Sequence, residues 1–167
     1  MSAALGVNAP SAAEILDPYA DLRGALVLVV GARQGIGAAI RDAFVGVGAR
    51  VIAVDLGWDE EEPRADERGF HRVHVDVSEE SSVEALLTRI EADFGVVRVL
   101  VDSAGLSTMD PVVETRSADW DLNQAVNARG SFLLGRGVAS RLEAAGLPGR
   151  IIFIASQAGK NGYRCMG

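Results

Sequence analysis

The residues with the clearest chemical potential are glycines. From Val30 the chain reads Val-Gly-Ala-Arg-Gln-Gly-Ile-Gly, which puts Gly31, Gly35 and Gly37 in one short loop together with Arg33, Gln34 and Ile36. Glycines in such a loop let the backbone turn tightly and let a bulky anion approach the amides without meeting a Cβ. A helix opening at this point adds unsatisfied N–H donors and the positive end of a dipole, a combination suited to the pyrophosphate of a dinucleotide. The same glycines also serve a turn that merely packs helix on strand. Asp55 tilts the choice. It stands about 20 residues further on, where a carboxylate accepts hydrogen bonds from adenosine ribose hydroxyls and repels a 2′-phosphate. The expected cofactor is therefore NAD rather than NADP, with Arg33 a cation that partly offsets the repulsion.

These residues need elements to hold them. Residues 25–30 are apolar at every position, as in a strand buried on both faces of a parallel sheet. A helix punctuated by glycine follows and ends near Gly48, residues 50–55 repeat the strand pattern, and the acidic run 59–62 with Pro63 reads as a solvated loop. Residues 69–75 make a third strand. Ser78 is placed to cap the next helix, with Glu79 and Glu80 in its first turn and Val83, Leu86, Leu87, Ile90 and Phe94 at helical spacing. Residues 96–101 and 150–155 give a fourth and fifth strand on either side of one long helix over 117–145. Alternation of this kind predicts an α/β fold with a Rossmann-like, doubly wound parallel sheet covered by helices on both sides. Residues 21–167 form the expected NAD-binding domain, and residues 1–20, rich in Ala, Ser and Pro, form a mobile arm ahead of it.

With the loop in place, the sequence resembles the short-chain dehydrogenase/reductase family from about Leu22 to Gly167. Gly31, Gly35 and Gly37 match that family's Gly-x-x-x-Gly-x-Gly. Asp76 and Val77 look like its adenine-binding pair, and Asp102-Ser-Ala-Gly105, which includes Ala104, resembles its Asn-Asn-Ala-Gly segment. Asn127-Ala-Arg-Gly130 resembles the helix motif carrying the active-site Asn, and Ser156 falls where the catalytic Ser ends the fifth strand. The resemblance implies hydride transfer between NAD and a secondary alcohol or its ketone, a polyol or another small hydroxy compound being the suggested substrate. It also implies that Ser156 holds the substrate oxygen, that Asn127 supports a water relay, and that the full-length form is a homodimer or homotetramer. Three positions depart from the pattern: Val30 replaces a Thr, and Asp102 and Ser103 replace both asparagines. Asp102 either weakens cofactor binding or pairs with a backbone amide.

The family's general base is a Tyr about thirteen residues beyond the Ser, with a Lys four residues after it that lowers the phenol's pKa. That pattern is expected to continue past Gly167, with the Tyr at the second position beyond it. Tyr163 follows Ser156 too closely and has Gly167 where the Lys belongs, so it is not taken as the base, and Lys160 reads as a loop charge. The chain as written is expected not to turn over, and its fifth strand to lie at a sheet edge. The alternative is a non-catalytic NAD-binding module or a fragment; a methyltransferase would explain neither Asn127 nor Ser156.

Composition narrows the field further. A net charge of -7 with no basic patch argues against nucleic-acid and membrane-surface partners. No apolar run reaches the ~20 residues of a membrane span and the N-terminus does not read as a signal peptide, so a cytoplasmic protein is expected. His71 and His74 lack a partner constellation, so no metal site is expected. Cys165 is the only cysteine and receives no role.

Overall fold

The computed structural model describes residues 19–59 and 63–165. The expected arm lies outside them apart from its last two residues, as do residues 60–62 of the acidic run; Ala20 opens a short 3-10 turn, Ala20–Leu22.

Strand β1 (Leu26–Val30) is buried at every position because it lies in mid-sheet, flanked by β2 (Arg50–Asp55) and β5 (Val99–Asp102). The order across the sheet is β3-β4-β2-β1-β5-β6, with β3 at Arg64–Ala65, β4 at Phe70–His74 and β6 at Arg150–Phe153. All pairings are parallel except that of β3, which runs antiparallel to β4. The helices are α1 (Gly35–Gly46), α2 (Glu80–Phe94), α3 (Ser117–Asn123) and α4 (Ser131–Ala145). Alternate β1 side chains feed two cores. Leu26, Leu28 and Val30 pack with Val83, Leu87, Ile90, Leu134 and Val138 of α2 and α4, whereas Val27 and Val29 face Ile40 and Phe44 of α1. Burial of each such side chain contributes roughly 1.5–3 kcal/mol, which is what fixes the strand ends that carry the site.

Arg64 and Ala65, for which the sequence predicted no element, pair with Arg72 and His71 along the edge of β4. Two expectations are corrected. The helix expected over 117–145 is not uniform: Gln124–Gly130 is π-helical between α3 and α4. Ser78 does not cap α2. Glu79 takes the N-cap position without a side-chain capping bond, leaving only Glu80 in the first turn. The nearby Asp76 carboxylate captures the serine instead, its Oδ1 accepting from Ser78 N at 2.9 Å and from Ser78 Oγ at 2.7 Å, the self-bonding turn that Asp favours.

Buried Arg41 ties α1 to the loop before it. Its guanidinium donates to the Ala32 carbonyl at 2.8 Å and to Asp42 at 2.7 Å, and lies 4.4 Å from the centre of the Phe70 ring. Between α2 and the later helices, Glu80 takes Arg129 and Arg136, and Arg141 takes Glu84 and Glu91. The Arg136 guanidinium holds the Glu80 carboxyl below its usual range.

Candidate functional site

A cleft of about 380 Å³ opens where β1, β2, β4 and β5 end, at their carboxyl edge. This is where open parallel sheets place ligands. One wall is the glycine loop. Gly31 and Gly35 have φ of +71° and +57°, a region costly to other residues. A Cβ on Gly31 would lie 2.8 Å from Ala104 N, and one on Gly37 would run into the Gly31 carbonyl. The glycines therefore let the loop lie against the end of β5. Gln34, extended at the N-cap of α1, makes no side-chain capping bond, so the first-turn amides keep their donors for a ligand.

The far end of the cleft is set by Asp55. Its carboxylate accepts from Arg33 N at 3.1 Å and from Gly57 N at 2.9 Å, which fixes the group at the end of β2. The Arg33 guanidinium donates to the Gly57 carbonyl at 2.7 Å. Val75, Asp76 and Val77 form the floor beyond β4, and Ser103, Ala104, Gly105 and Leu106 the side beyond β5. Ser103 donates to the Val30 carbonyl at 2.6 Å and so joins the two strand ends. Asp102 does not face the cleft. It is buried, accepts from the Ala104 amide at 3.0 Å and from Ser131 Oγ at 2.6 Å, and burial pushes its carboxyl above the usual range. Of the two alternatives for Asp102, the pairing with a backbone amide is present.

Of the residues singled out in the sequence, Gly31, Gln34, Ile36, Gly37, Asp55, Asp76, Val77, Ala104 and Gly105 line the cleft together. Arg33 and Gly35 shape it from the loop without lining it. Asn127 stands one layer back, its side chain donating to the Leu106 carbonyl at 2.8 Å and accepting from Leu106 N at 2.9 Å. The two bonds fix the amide against Leu106. Ser156 is exposed and outside the cleft lining; its Oγ accepts from Ala158 N at 3.1 Å. Tyr163 is exposed and donates to Gln157 at 3.3 Å. Leu56, Leu106 and Val126 also line the cleft and were not anticipated. Leu56 carried a signal, an apolar residue just past a strand end, and is 61% exposed.

His71 packs edge-on against Phe94, and His74 shares a hydrogen bond with the Trp58 carbonyl at 2.8 Å. Among the described residues, no group of three or more His, Cys, Asp or Glu could hold a metal, and no helix is long and apolar enough to cross a membrane.

The family model described as short chain dehydrogenase matches residues 25–167. Among curated proteins, the chain is 43% identical over 143 residues to D-threitol dehydrogenase of Mycolicibacterium smegmatis, covering 82% of this chain and 54% of that protein. It is 32% identical over 148 residues to sorbitol dehydrogenase of Cereibacter sphaeroides, covering 87% and 58%. It is 36% identical over 157 residues to human (3R)-3-hydroxyacyl-CoA dehydrogenase, covering 84% and 59%. The chain thus spans a little over half the length of these relatives. Among solved structures, a doubly substituted short-chain dehydrogenase/reductase of Serratia marcescens superposes with a TM-score of 0.74 at 26% identity, over 86% of this chain and 62% of that one. Strand order, glycine loop and sequence matches agree, and the chain belongs to the short-chain dehydrogenase family of oxidoreductases.

Proposed function

We propose that this chain binds NAD in the cleft at the carboxyl edge of the sheet and serves a dehydrogenase acting on a secondary alcohol or its ketone, with a polyol as the substrate class. The observation that carries the cofactor reading is the Asp55 carboxylate, held at the cleft end by two backbone amides. An anion fixed there accepts from ribose hydroxyls and opposes a 2′-phosphate. The Arg33 guanidinium, bonded to the carbonyl of the same Gly57, is a neighbouring cation that offsets part of that charge.

The rest of the cleft fits the same ligand. The uncapped first turn of α1 offers amides to a pyrophosphate, and glycine at 31 and 37 keeps the loop seated so that those amides face it. Asp76 and Val77, which line the cleft, are assigned to the adenine, and Ala104 and Gly105 to the cofactor ribose. When bound, the nicotinamide supplies a hydride acceptor or donor. Asn127 holds the Leu106 turn beside it, and the Ser156 hydroxyl is assigned to the substrate oxygen. The polyol class is supported by relatives named threitol and sorbitol dehydrogenases. Residues 21–167 would be the cofactor-binding domain of a cytoplasmic homo-oligomer.

Calorimetry with NAD and NADP tests the reading. Binding of NAD at least ~10-fold tighter, about 1.4 kcal/mol, is expected, and Asp55→Ala should erase most of the difference. Tighter NADP binding would overturn the cofactor assignment. Threitol- or sorbitol-dependent NADH formation by the full-length protein tests the substrate class.

A further inference from the structure

Asp102 is the departure from the family pattern that the cofactor reading leaves unused. It is 3% exposed, and its register partners on either side are apolar, Val30 of β1 and Phe153 of β6. Its Oδ2 lies 2.6 Å from Ser131 Oγ at the start of α4. The same Ser131 Oγ lies 3.1 Å from the backbone carbonyl of Asn127, one turn back along the helix. A serine hydroxyl carries a single proton, so it can donate to the carboxylate or to the carbonyl, but not fully to both.

We propose that Asp102 is a positioning residue that, through the Ser131 hydroxyl, decides whether the Asn127 carbonyl receives a hydrogen bond. With Asp102 ionised, the short charge-assisted bond takes the Ser131 proton and the carbonyl receives none from it. With Oδ2 protonated, the acid O–H donates to Ser131 Oγ, and Ser131 turns its own proton to Asn127. The only covalent change is the O–H bond formed at Asp102 with a proton from solvent. The effect arrives at a residue whose side chain grips Leu106, a lining residue of the cleft. This inference goes beyond the cofactor reading and does not rest on it.

The surroundings leave Asp102 to titrate as a single group. Strand β1 carries no ionisable residue, and residues 103–106 carry none. On the helical side, Arg129 and Arg136 are taken by Glu80, and Arg141 by Glu84 and Glu91. At the far ends of β5 and β6, Arg98 donates to the Pro148 carbonyl and Arg150 pairs with Asp21. Burial raises the Asp102 carboxyl, and the bonds from Ser131 and Ala104 oppose that rise.

The test is carbonyl-carbon NMR of the uniformly labelled chain across the weakly acidic range. In the native chain the Asn127 carbonyl should follow a single titration with its midpoint above the ordinary carboxylate range. Asp102→Asn keeps an acceptor for the Ala104 amide and donates permanently to Ser131. It should hold the Asn127 shift at its low-pH value at every pH. Ser131→Ala should abolish the Asn127 titration while that of the Asp102 carboxyl carbon persists. An Asn127 carbonyl that stays flat in the native chain, or that titrates unchanged in either variant, overturns the proposal. If Ser131→Ala does not fold, the Asp102→Asn comparison decides alone.

Discussion

At the end of β1 the chain is held from several sides at once, whereas at the end of β6 it is held mainly by its own next residues. Both strands are apolar, but β1 lies between β2 and β5 while β6, among the described residues, pairs with β5 alone. Ile152, Phe153 and Ile154 are accordingly 43%, 47% and 41% exposed, against none to a few per cent along β1. The glycine loop after β1 is seated on Ser103 and Ala104 and held by Arg41 through the Ala32 carbonyl. Ser156 Oγ accepts from the amide of Ala158, only two residues away. A short apolar run can therefore make either a rigid platform or a loosely supported edge, and its neighbours decide which.

The largest test of that contrast is Gly31→Ala. The positive φ costs about 1–2 kcal/mol with a Cβ, and the collision with Ala104 adds about 1–3 kcal/mol. Urea unfolding should read a loss within the sum of those ranges, and a variant as stable as the native chain would mean that the loop is not locked as described.

A smaller effect sharpens the same contrast at the residues assigned to catalysis. Asn127→Ala removes two hydrogen bonds to Leu106 and should lose about 1–2 kcal/mol. Ser156→Ala should stay within about 0.5 kcal/mol, the usual range for exposed sites. Equal losses in thermal melts would erase the distinction between the two ends.

The smallest lies away from both, on the β4 edge, where Arg68 holds the Asp66 carboxyl down to about 2. A depressed carboxyl contributes stability that is complete above its unfolded value, near 3.8, and is lost as pH falls through about 2. Because Arg68 is 59% exposed, the contribution should be no more than about 1 kcal/mol. Asp66→Asn should flatten this part of the acid limb in a pH series of melts, and an unchanged limb would remove the pair from the ledger of the edge.

Much of this architecture is legible in the sequence because its causes are local. A run of β-branched and Leu residues can be read as a buried strand, and a glycine that must take positive φ announces its turn. The cleft residues at 31, 34, 36, 37, 55, 76–77 and 104–105 follow, since each sits at or just past the end of a strand. What escaped depended on contacts across the chain. Ser78 is a good cap by type, but Asp76 outcompetes the helix end for it. Arg64 and Ala65 become a strand only because β4 offers an edge. Asp102 could not be resolved without seeing that Ser131, 29 residues later, faces it.

The π-helical stretch over Gln124–Gly130 can be viewed as a matter of phase. Such a stretch amounts to extra chain let into an α-helix, and such turns favour functional positions. It shifts the faces of α3 and α4 relative to one another, so that Asn127 can reach Leu106 while Ser131 meets Asp102 on the sheet side. The spacing between those two residues is thus a structural quantity in its own right. An insertion there would act differently from any substitution, since it would turn one half of the helix against the other and leave every existing side chain intact.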